Sequence, residues 1–403
     1  MFDKKLNNLF GLPELQFTHK SQQFKNQLIF HFKKKSEKEV CPKCATLSDT
    51  CYDKRIVTIK DSPIRDKQVT LKIMKRRFFC KKCKKPFTEP VIGIIKGRRS
   101  TVRFRKHVFW CATQFQDLKR VRLKCKCSSW MVYTAYYEHA KLEVKKLQNP
   151  WGKTIGIDEH SFIRNKRYGH KEFATVFVDY NKSRVREAVL GRYPSDYMRD
   201  QNLLKIPGRE GVKNVIIDFA PSMRRFAKDF FPNAKIIADK FHLVRLANQV
   251  VNMKRLEIMN DPKNKILKKR NNPLRKMLLT NGKRLHFSEE RSLMYVFDRH
   301  PELQAFYRVK EMIHELYRIR GYNRARRYFI NLTDFIASLK MDGLMSLRRT
   351  LMIWRTEILN YFKRRVTNGK TEGFNRKAKL IQRQAYGFRK FENYRLKLLY
   401  ACR

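Results

Sequence analysis

Three aspartates, Asp158, Asp218 and Asp239, each close a short apolar run: KTIGID, KNVIID and AKIIAD. Runs of that length and composition read as buried strands. A carboxylate at the end of such a strand is costly to desolvate unless something answers its charge. A divalent cation does so, since Mg²⁺ takes one or two carboxylates together with substrate phosphate oxygens. Two such ions about 3.5–4 Å apart serve the attacking and leaving oxygens of an in-line displacement at phosphorus. Glu372 is a further acid of interest, the one carboxylate between Thr367 and Phe391 in a segment with seven Lys or Arg. One reading is an ordinary acid in the first turn of a helix, where the macrodipole favours it by roughly 0.3–1 kcal/mol. The other is an acid on a helix crossing the sheet edge. It would complete a cluster with Asp158 and Asp218 while the bases around it, Arg376, Lys377, Lys379 and Arg383, grip a phosphate backbone.

A second constellation lies nearer the N-terminus. CPKC (Cys41, Cys44) and CKKC (Cys80, Cys83) bracket two strand-like runs, KRIVTIK and KQVTLKIMKRRFF, with a turn expected at Asp61-Ser62-Pro63. Two Cys-x-x-Cys knuckles around a hairpin supply four thiolates in tetrahedral reach, the donor set of a structural zinc ribbon. Cys51, Cys111, Cys125, Cys127 and Cys402 show no such pairing. The Cys-Lys-Cys at 125–127 is too tight for a knuckle, so these five are expected to be ordinary thiols.

The composition narrows the partners. The 403 residues include 92 Lys or Arg against 36 Asp or Glu, a net charge of +56, with 42% hydrophobic residues. Such a chain can bury real cores, yet it repels itself unless a polyanion neutralises it. Nucleic acid is the expected partner, through phosphate neutralisation and counterion release. A structural RNA-binding protein fits the charge as well, and an anionic membrane surface fits it less. No run approaches the roughly 20 apolar residues of a bilayer span, and MFDKKLNNLFGLPEL is not a signal peptide. The expected compartment is therefore the cytosol, where cysteines serve as metal ligands or free thiols.

The elements that must position these groups follow from periodicity. From about Arg98 to Leu147 the pattern is helical, with Phe104, Val108, Cys111, Ala112 and Phe115 on one stripe. VRLKCKCSSWMVYTAYYEHA reads as helix, turn near Cys127–Ser128, and a second helix opened by serine, the layout of a helix-turn-helix or of a plain helical hairpin. Asn149-Pro150-Trp151-Gly152 marks a boundary. Beyond it come the strand ending at Asp158, a hairpin (KEFATVFVDY and SRVREAVLG), a helical stretch near SDYMRDQNLLK, the Asp218 strand, a helix opened by Pro221, and the Asp239 strand. Residues 243–366 are helical throughout, and the Glu372 segment follows.

GIDEHSF, VIIDFAPSMRRFAKDFFPNAKIIADKFHLVRLAN and TEGFNRKAKLIQRQAYGFRKFENYRL together resemble DDE transposases of the ISL-three family of bacterial insertion sequences. The resemblance spans almost the whole chain. It implies an α/β fold: an RNase H-like catalytic domain interrupted by an all-helical insertion, preceded by a zinc ribbon and a helix-turn-helix. The expected domains are a zinc-ribbon region (1–95), a helix-turn-helix region (96–149), two parts of the catalytic domain (150–242 and 367–403) and the insertion (243–366). By motif, Asp158, Asp218 and Glu372 match the catalytic acids that hold two Mg²⁺ (or Mn²⁺) ions, and one structural Zn²⁺ goes with the ribbon. Asp239 and His242 match an accessory Asp-x-x-His pair. Read from the residues alone, Asp239 caps a helix beginning at Phe241, and His242 packs beneath it. The activity implied is metal-dependent cleavage and strand transfer on double-stranded DNA, at terminal inverted repeats and at a target, by a homo-oligomer. A DNA-binding regulator, an inactive relic, and a metal-dependent nuclease without strand transfer are the alternatives. The last motif ends close to Arg403, so no C-terminal extension for holding DNA ends is expected.

Overall fold

The computed structural model describes residues 10–18, 21–114, 117–147, 149–164, 171–261 and 273–403. Phe115 of the apolar stripe, the first nine residues, and residues 262–272 of the helical block lie outside them. The chain divides into two compact units, Met1–Glu143 and Val144–Arg403. Among the described residues, no helix is long and apolar enough to cross a membrane.

The first unit is built on strands β1 (Leu15–Phe17), β2 (Gln22–Phe24), β3 (Gln27–Lys34), β4 (Glu39–Val40), β5 (Leu47–Ser48), β6 (Cys51–Ile64), β7 (Lys67–Cys80) and β8 (Lys85–Thr88). The main sheet runs β1-β3-β7-β6, with β2 on β3 and β8 on β7, while β4 and β5 pair separately. Alternation sets its inner face: Val69, Leu71 and Ile73 of β7 meet Phe30 and Phe32 of β3 over Phe10 and Leu12. The hairpin turn is displaced from its expected place. Asp61-Ser62-Pro63 lies inside β6, and the chain reverses at Arg65 and Asp66, both at positive φ (48° and 60°). An edge strand tolerates a proline, which donates no ladder bond, and the register with β7 slips between Asp61 and Ile64.

Helices α1 (Val102–Gln114), α2 (Leu118–Lys124) and α3 (Ser129–Lys146) follow. α1 starts later than its periodicity suggests, because Ser100 and Thr101 form isolated β-bridges to Lys60 and Ile94. Phe104, Val108, Cys111 and Ala112 are its buried stripe, as expected. Asp117 caps α2 by accepting from Arg120 N (2.8 Å). Ser128 Oγ accepts from Met131 N (3.1 Å) and so opens α3. In the turn between them Lys126 takes a left-handed backbone (φ 44°), the conformation glycine usually supplies.

The second unit holds a five-stranded mixed sheet of β9 (Thr154–Arg164), β10 (Lys171–Asp179), β11 (Arg184–Leu190), β12 (Asn214–Ile217) and β13 (Lys235–Ala238), ordered β11-β10-β9-β12-β13. β9, β10 and β11 form an antiparallel meander, whereas β9, β12 and β13 run parallel. The central strands are buried along both faces, which is why they read as continuous apolar runs. Short helices α4 (Pro194–Arg199) and α5 (Gln201–Leu204) precede β12, and α6 (Pro221–Phe230) joins β12 to β13 with Pro221 at its first turn.

The helical block is α7 (Lys240–Asn260), α8 (Leu274–Leu279), α9 (Phe287–Arg299), α10 (Pro301–Leu316), α11 (Tyr322–Leu339), α12 (Asp342–Ile353) and α13 (Arg355–Arg364). α14 (Gly369–Gln384) and α15 (Phe391–Ala401) then return the chain to the sheet, α14 against β9 and β10, α15 against β11. The apolar residues of sheet and helices form one continuous core.

Candidate active site and metal centre

Strand lengths explain how the acids gather. β12 and β13 end at Ile217 and Ala238, so Asp218 and Asp239 emerge side by side just past their carboxyl ends. Asp158 differs from expectation: β9 does not stop there but continues to Arg164, because β10 pairs with it over its whole length. β12 pairs β9 only from Thr154 to Gly156, so Asp158 stands where its parallel neighbour has already ended.

Asp158, Asp218 and His242 each bring a ligand atom to within 4.8 Å of the other two. Asp239 caps α7 by accepting from Phe241 N (3.2 Å) and also accepts from His242 Nδ1 (2.6 Å). The cap expected of Asp239 is thus a real contact, Asp239 and His242 are in contact as well, and His242 is held over the strand ends rather than beneath its helix. Asp218 Oδ1 lies 2.9 Å from the same His242 nitrogen, yet it is buried and out of line for a hydrogen bond. Burial lowers the His242 pKa, but its contacts with Asp218 and Asp239 outweigh that and hold it up at about 9. Burial, followed by the charge of Asp218, pushes Asp158 up to about 7. Two crowded, desolvated carboxylates with one oxygen unsatisfied fit a site for divalent cations.

Glu372 enters from the opposite element. Gly156 lets α14 lie directly on β9, since a Cβ there would collide with Thr371 Oγ1 and the Tyr180 ring. Tyr180 secures that approach, its hydroxyl 2.8 Å from Thr371 Oγ1 and donating to Asn368 Oδ1 at 3.1 Å. Glu372 lies in the first turn of α14 and lines a cavity of about 520 Å³ with Asp158, Asp218, Asp239 and His242. Its carboxylate accepts from Arg376 (2.6 Å) and is not among the three groups that converge within 4.8 Å. Arg376 and Lys379 line the same cavity, and Arg383 continues their exposed stripe one turn on. Lys377 turns aside to the Ala401 carbonyl.

Asn375 was not foreseen. It donates to Asp158 Oδ2 (2.6 Å) and fixes that carboxylate, as does Glu159 N on Oδ1 (2.8 Å). A neutral amide inside a basic helix carries no electrostatic signal in sequence; only its position one turn after Glu372 hinted at a shared face. Glu159 also lines the cavity, and burial raises its pKa.

In the first unit, Cys41, Cys44, Cys80 and Cys83 bring their sulfurs within 4.8 Å of one another. The Cys44–Cys80 and Cys41–Cys83 separations are 3.5 and 4.0 Å. A tetrahedron with Zn–S arms of about 2.3 Å has edges of about 3.8 Å, so the four thiols fit a structural zinc ion. Contacts from the Thr46 hydroxyl and backbone lower the Cys44 thiol to about 6, while contact with Cys44 and burial push the Cys83 thiol up. Cys80→Ser is expected to release this zinc and unfold the ribbon, read as one fewer zinc per chain by metal analysis. Unchanged zinc content in that variant would rule the assignment out.

A four-cysteine ribbon in one unit and acids gathered at the strand ends of a mixed sheet in the other are the parts of a transposase. Residues 155–398 match the ISL3 transposase family, and residues 37–83 match the zinc finger of the transposases of IS204, IS1001, IS1096 and IS1165. The chain belongs to the ISL3 family of DDE transposases. It is 23% identical over 383 residues to the transposase for insertion sequence element IS1001 of Bordetella parapertussis, covering 92% of this chain and 90% of that protein. Membership implies an enzyme of transposition that binds DNA.

Proposed function

We propose that this chain binds the terminal inverted repeats of an insertion sequence and catalyses metal-dependent cleavage and strand transfer of double-stranded DNA. The observation that carries this reading is the cavity in which Asp158, Asp218 and His242 converge beneath Glu372 and a basic helix face. The β9–β13 sheet is RNase H-like on this reading, an antiparallel meander continued by parallel strands and interrupted by the α7–α13 insertion before α14. The domain limits are those set out above, with α2 and α3 as a helix-turn-helix. The chain works as a homo-oligomer on paired DNA ends in the bacterial nucleoid.

Asp158, Asp218 and Glu372 would hold two Mg²⁺ (or Mn²⁺) ions. When bound, these supply Lewis-acid stabilisation of the attacking and leaving oxygens at phosphorus. The remaining work falls to the chain itself. Arg376, Lys379 and Arg383 place the phosphate backbone over the strand ends, whereas Lys377, also expected to grip it, is turned toward Ala401 and contributes less. Asn375 and Glu159 N keep Asp158 oriented toward the cavity. Asp239 holds the His242 imidazole against Asp218, at the edge of the cavity.

A labelled terminal-repeat duplex tests this. Nicking that requires Mg²⁺ or Mn²⁺ and leaves a 3′-hydroxyl, followed by joining of that end to a second duplex, is the expected result. Nicking without joining would reduce the protein to a nuclease, and binding without nicking to a regulator.

A further inference from the structure

The thiols that looked ordinary in sequence are not scattered. His107 and Cys111 lie one turn apart on the same face of α1, with His107 Nε2 3.6 Å from Cys111 Sγ. Cys125, the residue that ends α2, completes a group of three whose ligand atoms all lie within 4.8 Å of one another. Cys111 and Cys125 are 0% and 2% exposed. Cys127 is half-buried two residues further on, across the Lys126 turn; its sulfur stands outside that group of three and would move toward it on binding. Tetrahedral zinc with arms of about 2.0–2.1 Å to nitrogen and about 2.3 Å to sulfur sets those two atoms about 3.5 Å apart. The observed separation matches.

We propose that His107, Cys111 and Cys125, with Cys127 as fourth donor, hold a second structural zinc ion distinct from that of the ribbon. Imidazole and thiolate donors select zinc over the hard cations, and four protein ligands leave no open position for catalysis. The tight Cys-Lys-Cys spacing that excludes a knuckle suits a turn, where the Lys126 backbone reverses direction between the two sulfurs. The turn is held by backbone bonds from Cys125 N to Val121 O (2.9 Å), Lys126 N to Leu123 O (3.3 Å) and Cys127 N to Arg122 O (3.2 Å), and by Lys60 Nζ donating to Lys126 O (2.5 Å). The ion would tie α1 to the junction of α2 and α3, and so fix where α3 begins.

The test is metal stoichiometry on the full-length protein. Purified with zinc, it should carry two ions per chain, Cys125→Ser one, and Cys80→Ser one. The metal-free wild-type chain should take up two equivalents of Co²⁺, one giving the charge-transfer intensity of four thiolates and the other a weaker band from a mixed imidazole–thiolate set. That titration decides the matter even where Cys125→Ser fails to fold. One equivalent of zinc and of cobalt in the wild-type chain, or a Cys111–Cys125 disulfide in protein purified from a reducing cytoplasm, would overturn the proposal.

Discussion

Asp158→Asn, Asp218→Asn and Glu372→Gln are each expected to lose metal-dependent nicking by about 10³-fold while keeping their affinity for terminal-repeat DNA. Lewis-acid stabilisation is worth several kcal/mol, and about 1.4 kcal/mol is a factor of ten in rate. Each change keeps size and polarity while removing an anionic ligand. Asp158→Asn has a second consequence in the metal-free chain. A carboxyl whose folded pKa is raised to about 7 contributes stability at low pH that is lost as pH climbs from about 4 through 7. His242, raised to about 9, loses its contribution from about 6.5 upward, in the same direction. Asp158→Asn should therefore melt above wild type at pH 8 without metal, and the difference should vanish near pH 4. Asp239→Asn keeps the helix cap and should cost less activity than the three acids. Full nicking by Glu372→Gln, with Asp158→Asn and Asp218→Asn inactive, would refute Glu372 as a ligand and shift the third position toward His242.

The second large effect is on binding. A chain of net charge +56 that neutralises six to ten phosphates should lose about 10³–10⁵ in affinity between about 50 and 200 mM salt. If they face phosphate as proposed, Arg376→Ala and Lys379→Ala should each flatten the log–log slope by about 0.9, equally for terminal-repeat and random duplexes. Lys377→Ala should change it less, since its amine is turned toward Ala401. Sequence preference should reside in residues before about 147. A salt-independent affinity, or a fragment from 148 onward that alone distinguishes the repeat, would contradict this division.

Much of the candidate site was legible because two local rules meet there. Short parallel strands end in register, so an acid after an apolar run marks the sheet's carboxyl edge, and Asp218 and Asp239 lie there. Asp158 obeys a different rule: its strand ends where β10 ends, and the length of a pairing partner is not written in the strand itself. The Asp-Ser-Pro turn failed for a related reason, since proline marks a turn only when the strand is not at an edge. Asn375 and the His107–Cys111–Cys125 group stayed hidden because they depend on contacts between separate elements. The start of α3 was readable from its cap alone, Ser128 sitting where a serine was expected to open the helix.

The cavity draws its walls from opposite ends of the second unit: Asp158 and Asp218 precede the α7–α13 block, and Glu372 and Asn375 follow it. During synthesis at about 5–20 residues per second, the 372 − 218 = 154 residues separating Asp218 from Glu372 take about 8–30 s to make. Throughout that interval the ribbon and the helices beyond it are already available to fold, while the cavity still lacks one wall. On the proposed division of labour, a chain cut short anywhere in the helical block would keep its DNA-binding regions without a closed cavity. On that same proposal, ribosomes translating a damaged copy of the gene would make competitors for the same DNA rather than cutting enzymes.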